Sequence, residues 1–305
     1  MFTERDLAPP VAAVRDEYGG LVLDAERDFE TLSPAAAEDL GLLVDDLDPF
    51  SAPDAWLPPD VPEVLREYAG DAFTVGMPGD GSVAWTRQTD PPVVIRKPRL
   101  DESPDAFADF LVAEALVQAS LGDPEHFLGF FGERYPEFDA ALPLEPVDTY
   151  QVAAACYDAH LGLATRDVFA GWSGGETTPL FEAWVDAGAR LTGRLEGLPG
   201  AVARGETDFA DAAELACNGV KHAVEHGSTS PQSQALEDSE GQRPSGSRPE
   251  ADDAVEHGST SHDSDARQGA LDVPAPFDAL DADVYREHGA AYAVRWAEKT
   301  AEAVG

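Results

Sequence analysis

Lysine is scarce in this sequence, which contains only three lysines in 305 residues. It also contains one isoleucine and one asparagine. A GC-rich genome would explain this scarcity, because the codons of all three residues are AT-rich. Arginine has GC-rich codons, yet only 17 arginines stand against 59 aspartates and glutamates. The composition therefore indicates selection against positive charge and not codon bias alone.

The resulting net charge of −39 is much larger than a small domain needs for solubility. Self-repulsion of this kind destabilises a compact chain in dilute salt. At molar ionic strength the Debye length falls to about 3 Å, so that dissolved cations screen the acidic surface. We therefore expect a halophilic protein from a haloarchaeon, with high-salt cations as its screening partners.

Long apolar runs and paired cysteines are also missing. No stretch approaches the roughly 18 apolar residues of a membrane span, and the N-terminal MFTERDLAPP has no basic region followed by an apolar run. Cys156 and Cys217 have neither CxxC nor zinc-site spacing, so we interpret them as buried free thiols. We expect a cytoplasmic protein without membrane contact, and we predict no cofactor and no metal.

The octapeptide AVEHGSTS occurs twice, at residues 223–230 and 254–261. Residues 227–270 contain no aromatic side chain and nine acids, so they bury too little apolar surface to offset the entropy of ordering. We predict a disordered insertion within one folded, helix-rich domain formed by residues 1–226 and 271–305. Because longer loops add little closure entropy, about 0.6 kcal/mol per doubling, we expect the insertion to be dispensable for folding.

Alternating apolar residues predict three consecutive strands around Val75, Trp85 and Ile95, separated by the turn sequences PGDG and DPP. We expect a three-stranded antiparallel meander at about residues 72–98. The expected fold class is α+β, mostly α, with the meander packed against several helices. Helical periodicity and helix-start signals place these helices at about residues 33–47, 60–68, 103–121, 146–164, 178–195, 208–226 and 281–303.

Arg96, Lys97 and Arg99 form the one basic cluster outside the insertion. The cluster could bind a phosphate, a carboxylate ligand or RNA. The alternative is neutralisation by acids of the following helix, which we favour because structural ion pairs are commoner than binding sites. Sequence-independent binding of nucleic acid weakens steeply with salt, which argues against nucleic acid as the partner.

Glu114 falls in the middle of the apolar face of the helix predicted at residues 103–121. A carboxylate buried there without a partner would be costly, so we predict a cationic neighbour. Alternation along the preceding strand directs Lys97 toward this helix. We therefore predict an ion pair between Glu114 and Lys97, with Arg87 as the second choice of cation.

Two patterns resemble catalytic motifs, but each lacks supporting features. Residues 222–226 match the HxxEH zinc motif, but the second repeat copy has Asp253 where the first histidine should recur. Lys97 and Glu114 follow a glycine-containing turn, as in the upper lobe of a protein kinase, but the sequence has neither HRDxxxxN nor DFG. We therefore predict neither zinc nor kinase chemistry. The remaining histidines outside the insertion are assigned a packing or capping role: His126, His160 and His288.

Five segments carry a resemblance to a known family: FTVGMPGDGSVAWTRQTDPPVVIRKPRL, SPDAFADFLVAEALVQ, PEHFLGFFGERYPEFDAAL, DAAELACNGVKHA and YAVRWAEK. On these segments the chain resembles an uncharacterised haloarchaeal protein family, a domain of unknown function. The resemblance covers nearly the whole chain outside the repeat. Because that family has no assigned activity, the resemblance implies no functional residues.

Two classes of function stay open. The first, which we favour, is a non-catalytic soluble protein that acts through a surface for an unidentified protein partner. The second is an enzyme or binding module for a small anionic ligand near the meander and Arg96, Lys97 and Arg99. A binding module would place these side chains in an open concave pocket, whereas a structural cluster would bury at least one of them against an acid.

Overall fold

The computed structural model of the chain describes residues 1–42, 50–73, 75–77, 81–223 and 271–304. Met1–Ala223 and Leu271–Gly305 belong to one compact unit. The predicted disordered insertion at 227–270 lies outside the described residues, as do the motif residues Glu225 and His226. The described part is mostly helical and contains a small mixed sheet, in agreement with the predicted α+β, mostly α class.

Six short strands form two sheets: β1 (Phe2–Glu4), β2 (Leu21–Ala25), β3 (Thr31–Leu32), β4 (Val75–Gly76), β5 (Val83–Thr86) and β6 (Val93–Arg96). The larger sheet has the order β1-β2-β6-β5, and the smaller one pairs β3 with β4. Within the larger sheet β2 and β6 run parallel, with Leu21 opposite Val93, while the other two pairs are antiparallel.

The predicted meander is correct only in its second hairpin. Strands β5 and β6 pair antiparallel as expected, with Val83 opposite Arg96. Strand β4, however, pairs with β3 in the separate sheet, where Gly76 lies opposite Thr31. Gly76 has a φ of +86°, and a Cβ at this position would lie 2.2 Å from the carbonyl oxygen of Glu30. Apolar alternation shows where a strand lies but not which strand it pairs with. The close approach of Gly76 to the Glu30 backbone and the parallel pairing of β2 with β6 were therefore not predicted.

Eleven helices lie in the described residues: α1 (Pro9–Tyr18), α2 (Pro34–Asp39), α3 (Glu63–Tyr68), α4 (Asp105–Ser120), α5 (Phe127–Phe131), α6 (Tyr135–Ala141), α7 (Pro146–Gly171), α8 (Thr178–Ala203), α9 (Phe209–Val220), α10 (Asp283–His288) and α11 (Ala290–Val304). Each of the seven helices predicted from the sequence overlaps at least one helix of the structure. The start signal at Ser33 is confirmed, because its hydroxyl accepts a hydrogen bond of 3.2 Å from the Ala36 amide and Pro34 occupies the first turn.

Helix α4 lies at the centre of the unit. It contacts β5 and β6 of the sheet, and it also contacts α1, α7 and α8. Nine of its 16 residues are buried, because neighbours surround it on several sides. A polar side chain in the middle of α4, where residues 112–117 are all buried, is therefore enclosed by protein unless a cavity opens beside it.

The cysteines are buried and unpaired, as the sequence predicts. Cys156 and Cys217 are buried free thiols on α7 and α9. Among the described residues, no helix is both long enough and apolar enough to cross a membrane.

Candidate functional site

The basic cluster is neutralised by acids that come from several segments. Arg96 at the end of β6 is 13% exposed, and its guanidinium lies 2.6 Å from Asp101 and 3.6 Å from Asp24. Arg99 pairs with Asp28 at 3.1 Å and with Glu30 at 2.8 Å. These contacts favour an ion-pair cluster over an open anion site, although most of the acids precede the cluster in sequence and none lies in α4.

Lys97 is fully buried at the end of β6. Its ammonium lies 4.6 Å from the centre of the Phe29 ring, within the range of a cation–π interaction. Val93 and Ile95 pack in the same cluster as Phe29, whereas Val94 on the opposite face of β6 packs against α4. Alternation therefore places Lys97 on the face of Val93 and Ile95, and the prediction was wrong about which face of the strand α4 covers. Lys97 thus belongs to the side of the sheet where Phe29 lies.

Glu114 is 6% exposed on α4, which confirms the prediction of a buried carboxylate. Its Oε1 atom lies 3.4 Å from Nζ of Lys221, which provides the expected cationic neighbour. The predicted identity of the cation was wrong for both choices, since Lys97 lies at Phe29 and Arg87 donates to the Asp123 carbonyl at 2.8 Å. Lys221 follows Glu114 by 107 residues, so no local spacing predicts this pair.

Two helical glycines allow the residues that follow α9 to pack closely against α7 and α8. A Cβ on Gly162 of α7 would lie 2.5 Å from Cβ of Lys221, and a Cβ on Gly188 of α8 would lie 3.0 Å from Cβ of His222. The Trp184 indole also donates to the Lys221 carbonyl at 3.0 Å. Close packing of three helices therefore positions the Lys221 ammonium beside Glu114.

We expect Gly162→Ala to destabilise the protein by about 1–3 kcal/mol, because the new methyl group overlaps Lys221 and forces the end of α9 outward. Gly193→Ala in α8 is the matched control, since a Cβ there meets nothing within 4 Å. That control should gain about 0.5–1 kcal/mol from helix propensity. Denaturant unfolding in molar KCl measures both changes, and equal effects of the two substitutions would contradict the close-packing explanation.

A cavity of about 230 Å³ opens beside this ion pair. We call it the ion-pair cavity, and it lies between strands β4 and β5, helices α4 and α7, and the end of α9. Its lining includes both apolar and polar side chains: Met77, Val83, Trp85, Leu111, Leu161, Ser82, Glu114, Gln118, Glu125, Tyr157, Asp158 and Lys221. The cavity therefore offers both signs of charge next to an apolar wall.

Glu125 fixes the end of β5 to the segment that follows α4. Its carboxylate accepts hydrogen bonds from the Thr86 hydroxyl at 3.0 Å, the Arg87 amide at 2.5 Å and the Gln88 side-chain amide at 3.1 Å. Burial raises the pKa of Glu125 above its ordinary value, and these three hydrogen bonds oppose that rise. This acid therefore has a structural function at the edge of the cavity.

Two buried histidines lie near the ion pair. His126 packs against the rings of Phe50 and Tyr68, each 5.0 Å away, and burial lowers its pKa to about 4. His222 stacks on Trp184, and burial, aided by the charge of Lys221, lowers its pKa to about 3. Neither Nδ1 atom has a hydrogen-bond partner among the described residues. Both rings are therefore neutral at neutral pH.

We expect acid to destabilise the protein through these two rings. Their pKa in the unfolded chain is about 6.5, so their contribution is complete above that pH and is lost progressively as the pH falls from 6.5 toward the folded values. At pH 5 each ring should remove about 2 kcal/mol. In molar KCl, His222→Gln should lose less stability than the wild type between pH 7.5 and 5. The exposed His288→Gln should match the wild type, and parallel pH profiles for all three proteins would contradict the burial effect.

The sequence analysis missed Lys221 as a site residue. A compositional signal was available, because Lys221 is one of three lysines in a chain that otherwise avoids them. Among the described residues, no group of three or more His, Cys, Asp or Glu side chains is placed to hold a metal ion.

Comparison with known proteins gives one match. The model of a family described as "Family of unknown function (DUF7089)" matches residues 1–247 and 250–304. No curated protein and no solved structure matches the chain. The family match confirms the resemblance to an uncharacterised domain and assigns no residue a function.

Proposed function

We propose that this chain, which belongs to the family DUF7089, binds a small polar molecule in the ion-pair cavity. The observation that carries the proposal is the Glu114–Lys221 pair, which lines a concave space beside apolar walls. Ligand sites are typically concave, largely apolar and equipped with a few convergent polar groups. The site is adjacent to the predicted meander but uses Glu114 and Lys221 in place of Arg96, Lys97 and Arg99.

The size of the cavity limits the ligand. Pockets for drug-sized molecules measure about 300–1,000 Å³, whereas this cavity measures about 230 Å³. A water molecule occupies about 30 Å³ of the liquid, so the cavity has room for about eight waters. The ligand should therefore be a small metabolite and not a nucleotide or a polymer.

We favour binding without catalysis because two acid–base groups of the cavity lining, Tyr157 and Glu125, already have structural partners. The Tyr157 hydroxyl donates to the Pro124 carbonyl, and Glu125 accepts three hydrogen bonds. A general acid or base needs a free position directed at the substrate. Side chains that already have hydrogen-bond partners are better suited to stabilising the wall of a binding site.

The amino-acid composition supports a second part of the proposal, the environment in which the protein functions. Acids outnumber basic residues by 59 to 20, and only three of the basic residues are lysines. This composition supports a soluble, halophilic protein of a haloarchaeal cytoplasm, where high-salt cations screen its surface.

A thermal-shift assay in molar KCl tests the binding function. Small cationic, anionic, neutral and zwitterionic compounds are compared at a concentration about 100 times the dissociation constant, where binding stabilises by about 2.7 kcal/mol. We expect one class to raise the melting temperature of the wild type by roughly 5–10 °C. Ser82→Phe, which fills the cavity, should abolish the shift, and Ser173→Phe in an exposed turn should retain it. The proposal is wrong if no class produces a shift that Ser82→Phe removes.

A partner surface is the second candidate, and one observation favours it. An apolar groove of about 250 Å³ lies between α4 and α8, lined by Phe107, Phe110, Leu111, Ala187 and Leu191. All of these side chains except the buried Phe110 are partly exposed, and such a groove suits the apolar face of a partner helix. We expect Leu191→Glu to lose a protein that co-purifies with the tagged wild type at molar salt, and Ser82→Phe to retain it. Retention by Leu191→Glu would exclude this groove.

A further inference from the structure

The ion pair that lines the cavity retains hydrogen-bonding capacity. Among the described residues, Lys221 Nζ and Glu114 Oε1 share one hydrogen bond of 3.4 Å, near the upper limit for such a contact. An ammonium has three donors, and an ionised carboxylate accepts at about four positions. The Lys221 side chain is 25% exposed and that of Glu114 is 8% exposed. Both groups therefore remain able to bind a molecule that enters the cavity.

The opposite charges restrict which molecule can use this capacity. A purely anionic ligand would be attracted by Lys221 but repelled by Glu114, with Glu125 and Asp158 adding negative charge to the lining. A purely cationic ligand would be attracted by the acids, but it would be repelled by Lys221 and would offer that ammonium no acceptor. A ligand that carries both charges on neighbouring carbon atoms avoids both repulsions, because each of its charges lies next to an opposite charge.

We propose that the ligand is a small zwitterion of the α-amino-acid type. Its ammonium donates to Glu114 and its carboxylate accepts from Lys221, so that four charges of alternating sign meet in the cavity. This inference rests on the proposed binding function and deepens it by naming the class of ligand.

The remaining wall of the cavity defines the side chain of this ligand. Leu111 and Leu161 face the same space as the ion pair, and the Trp85 ring also lines it. Apolar surface removed from water contributes about 25 cal/mol per Å². An aliphatic side chain therefore adds affinity in this cavity, whereas a second anionic group would lose its hydration there and face the carboxylates of Glu125 and Asp158.

Calorimetric titration in molar KCl tests the zwitterion directly with three probes of nearly equal shape. L-leucine has both charges, 3-methylbutylamine lacks the carboxylate and 4-methylpentanoate lacks the ammonium. We expect L-leucine to bind at least tenfold more tightly than either analogue. Equal affinity for one of the analogues would overturn the zwitterion and leave the binding function standing. If no probe binds in a manner that Ser82→Phe abolishes, the zwitterion is wrong, and the thermal-shift assay with the other classes of compound decides whether the binding function fails as well.

Matched substitutions assign the two charges to their residues. Glu114→Gln and Lys221→Met should each weaken the binding of L-leucine at least tenfold. Glu298→Gln and Lys299→Met, which change the same residue types on the exposed side of α11, should leave it unchanged. If either cavity variant fails to fold, the preference of the wild type for L-leucine over both analogues remains the deciding result. Unaltered binding by both folded cavity variants would overturn the inference.

Discussion

In dilute buffer we expect the protein to lose its cooperative fold, and in molar KCl we expect it to regain that fold. Even if every lysine and arginine paired with an acid, 59 − 20 = 39 acids would have no basic partner. The Debye length is about 10 Å at 0.1 M salt and about 3 Å at 1 M, so neighbouring carboxylates repel each other in the first condition and are screened in the second. A typical domain is stable by only about 5–15 kcal/mol, and unscreened repulsion can exceed that margin.

Circular dichroism and thermal melting at 0.05 M and 3 M KCl measure this effect. Sucrose in dilute buffer is the control, because it strengthens burial by exclusion from the protein surface without screening charge. We expect sucrose to recover much less structure than KCl. Equal melting temperatures at the two salt concentrations would contradict the inference of a halophilic protein.

Separating Glu114 from Lys221 should have the second largest effect. Lys221→Met leaves an almost fully buried carboxylate without its cation, and breaking buried pairs in this way costs about 3–5 kcal/mol. Glu114→Gln should cost less, about 1–2 kcal/mol, because the Lys221 side chain is 25% exposed and can turn toward water. Chemical denaturation in molar KCl measures the free energy of unfolding for each variant.

A double-mutant cycle distinguishes this pair from the one that the sequence analysis predicted. Glu114→Gln and Lys221→Met should show a coupling energy of about 1–3 kcal/mol, as residues in contact do. The same cycle with Lys97→Met should be additive within about 0.5 kcal/mol, because the Lys97 ammonium lies over Phe29. Strong coupling to Lys97 together with additivity at Lys221 would reverse the assignment.

Much of the fold was predictable from local sequence. The helix that begins after Ser33 and the antiparallel pairing of β5 with β6 follow from capping and alternation, both of which act over a few residues. The burial of Glu114 also followed from helical periodicity. Local patterns of this kind report which face of an element is covered, but they do not report what covers it.

The parts that sequence did not predict depend on contacts between distant residues. The β2–β6 pair joins strands about 70 residues apart in sequence, and Lys221 reaches Glu114 across 107 residues. Gly162 gave an indirect signal, because glycine inside a helix costs about 1 kcal/mol relative to alanine and often marks a close approach. The glycine does not show which residue approaches it. That residue is Lys221 at the end of α9, and its position depends on the packing of three helices.

Lysine-selective isotope labelling followed by NMR tests most directly whether the ion-pair cavity is a binding site. The chain has only three lysines, so labelled lysine gives one side-chain signal each for Lys97, Lys221 and Lys299, which single Lys→Met variants assign. During titration with L-leucine in molar KCl, the Lys221 signal should shift and saturate, and the signal of the exposed Lys299 should not move. Saturating shifts confined to Lys299, or no shift at Lys221 at any concentration, would contradict ligand binding in the ion-pair cavity.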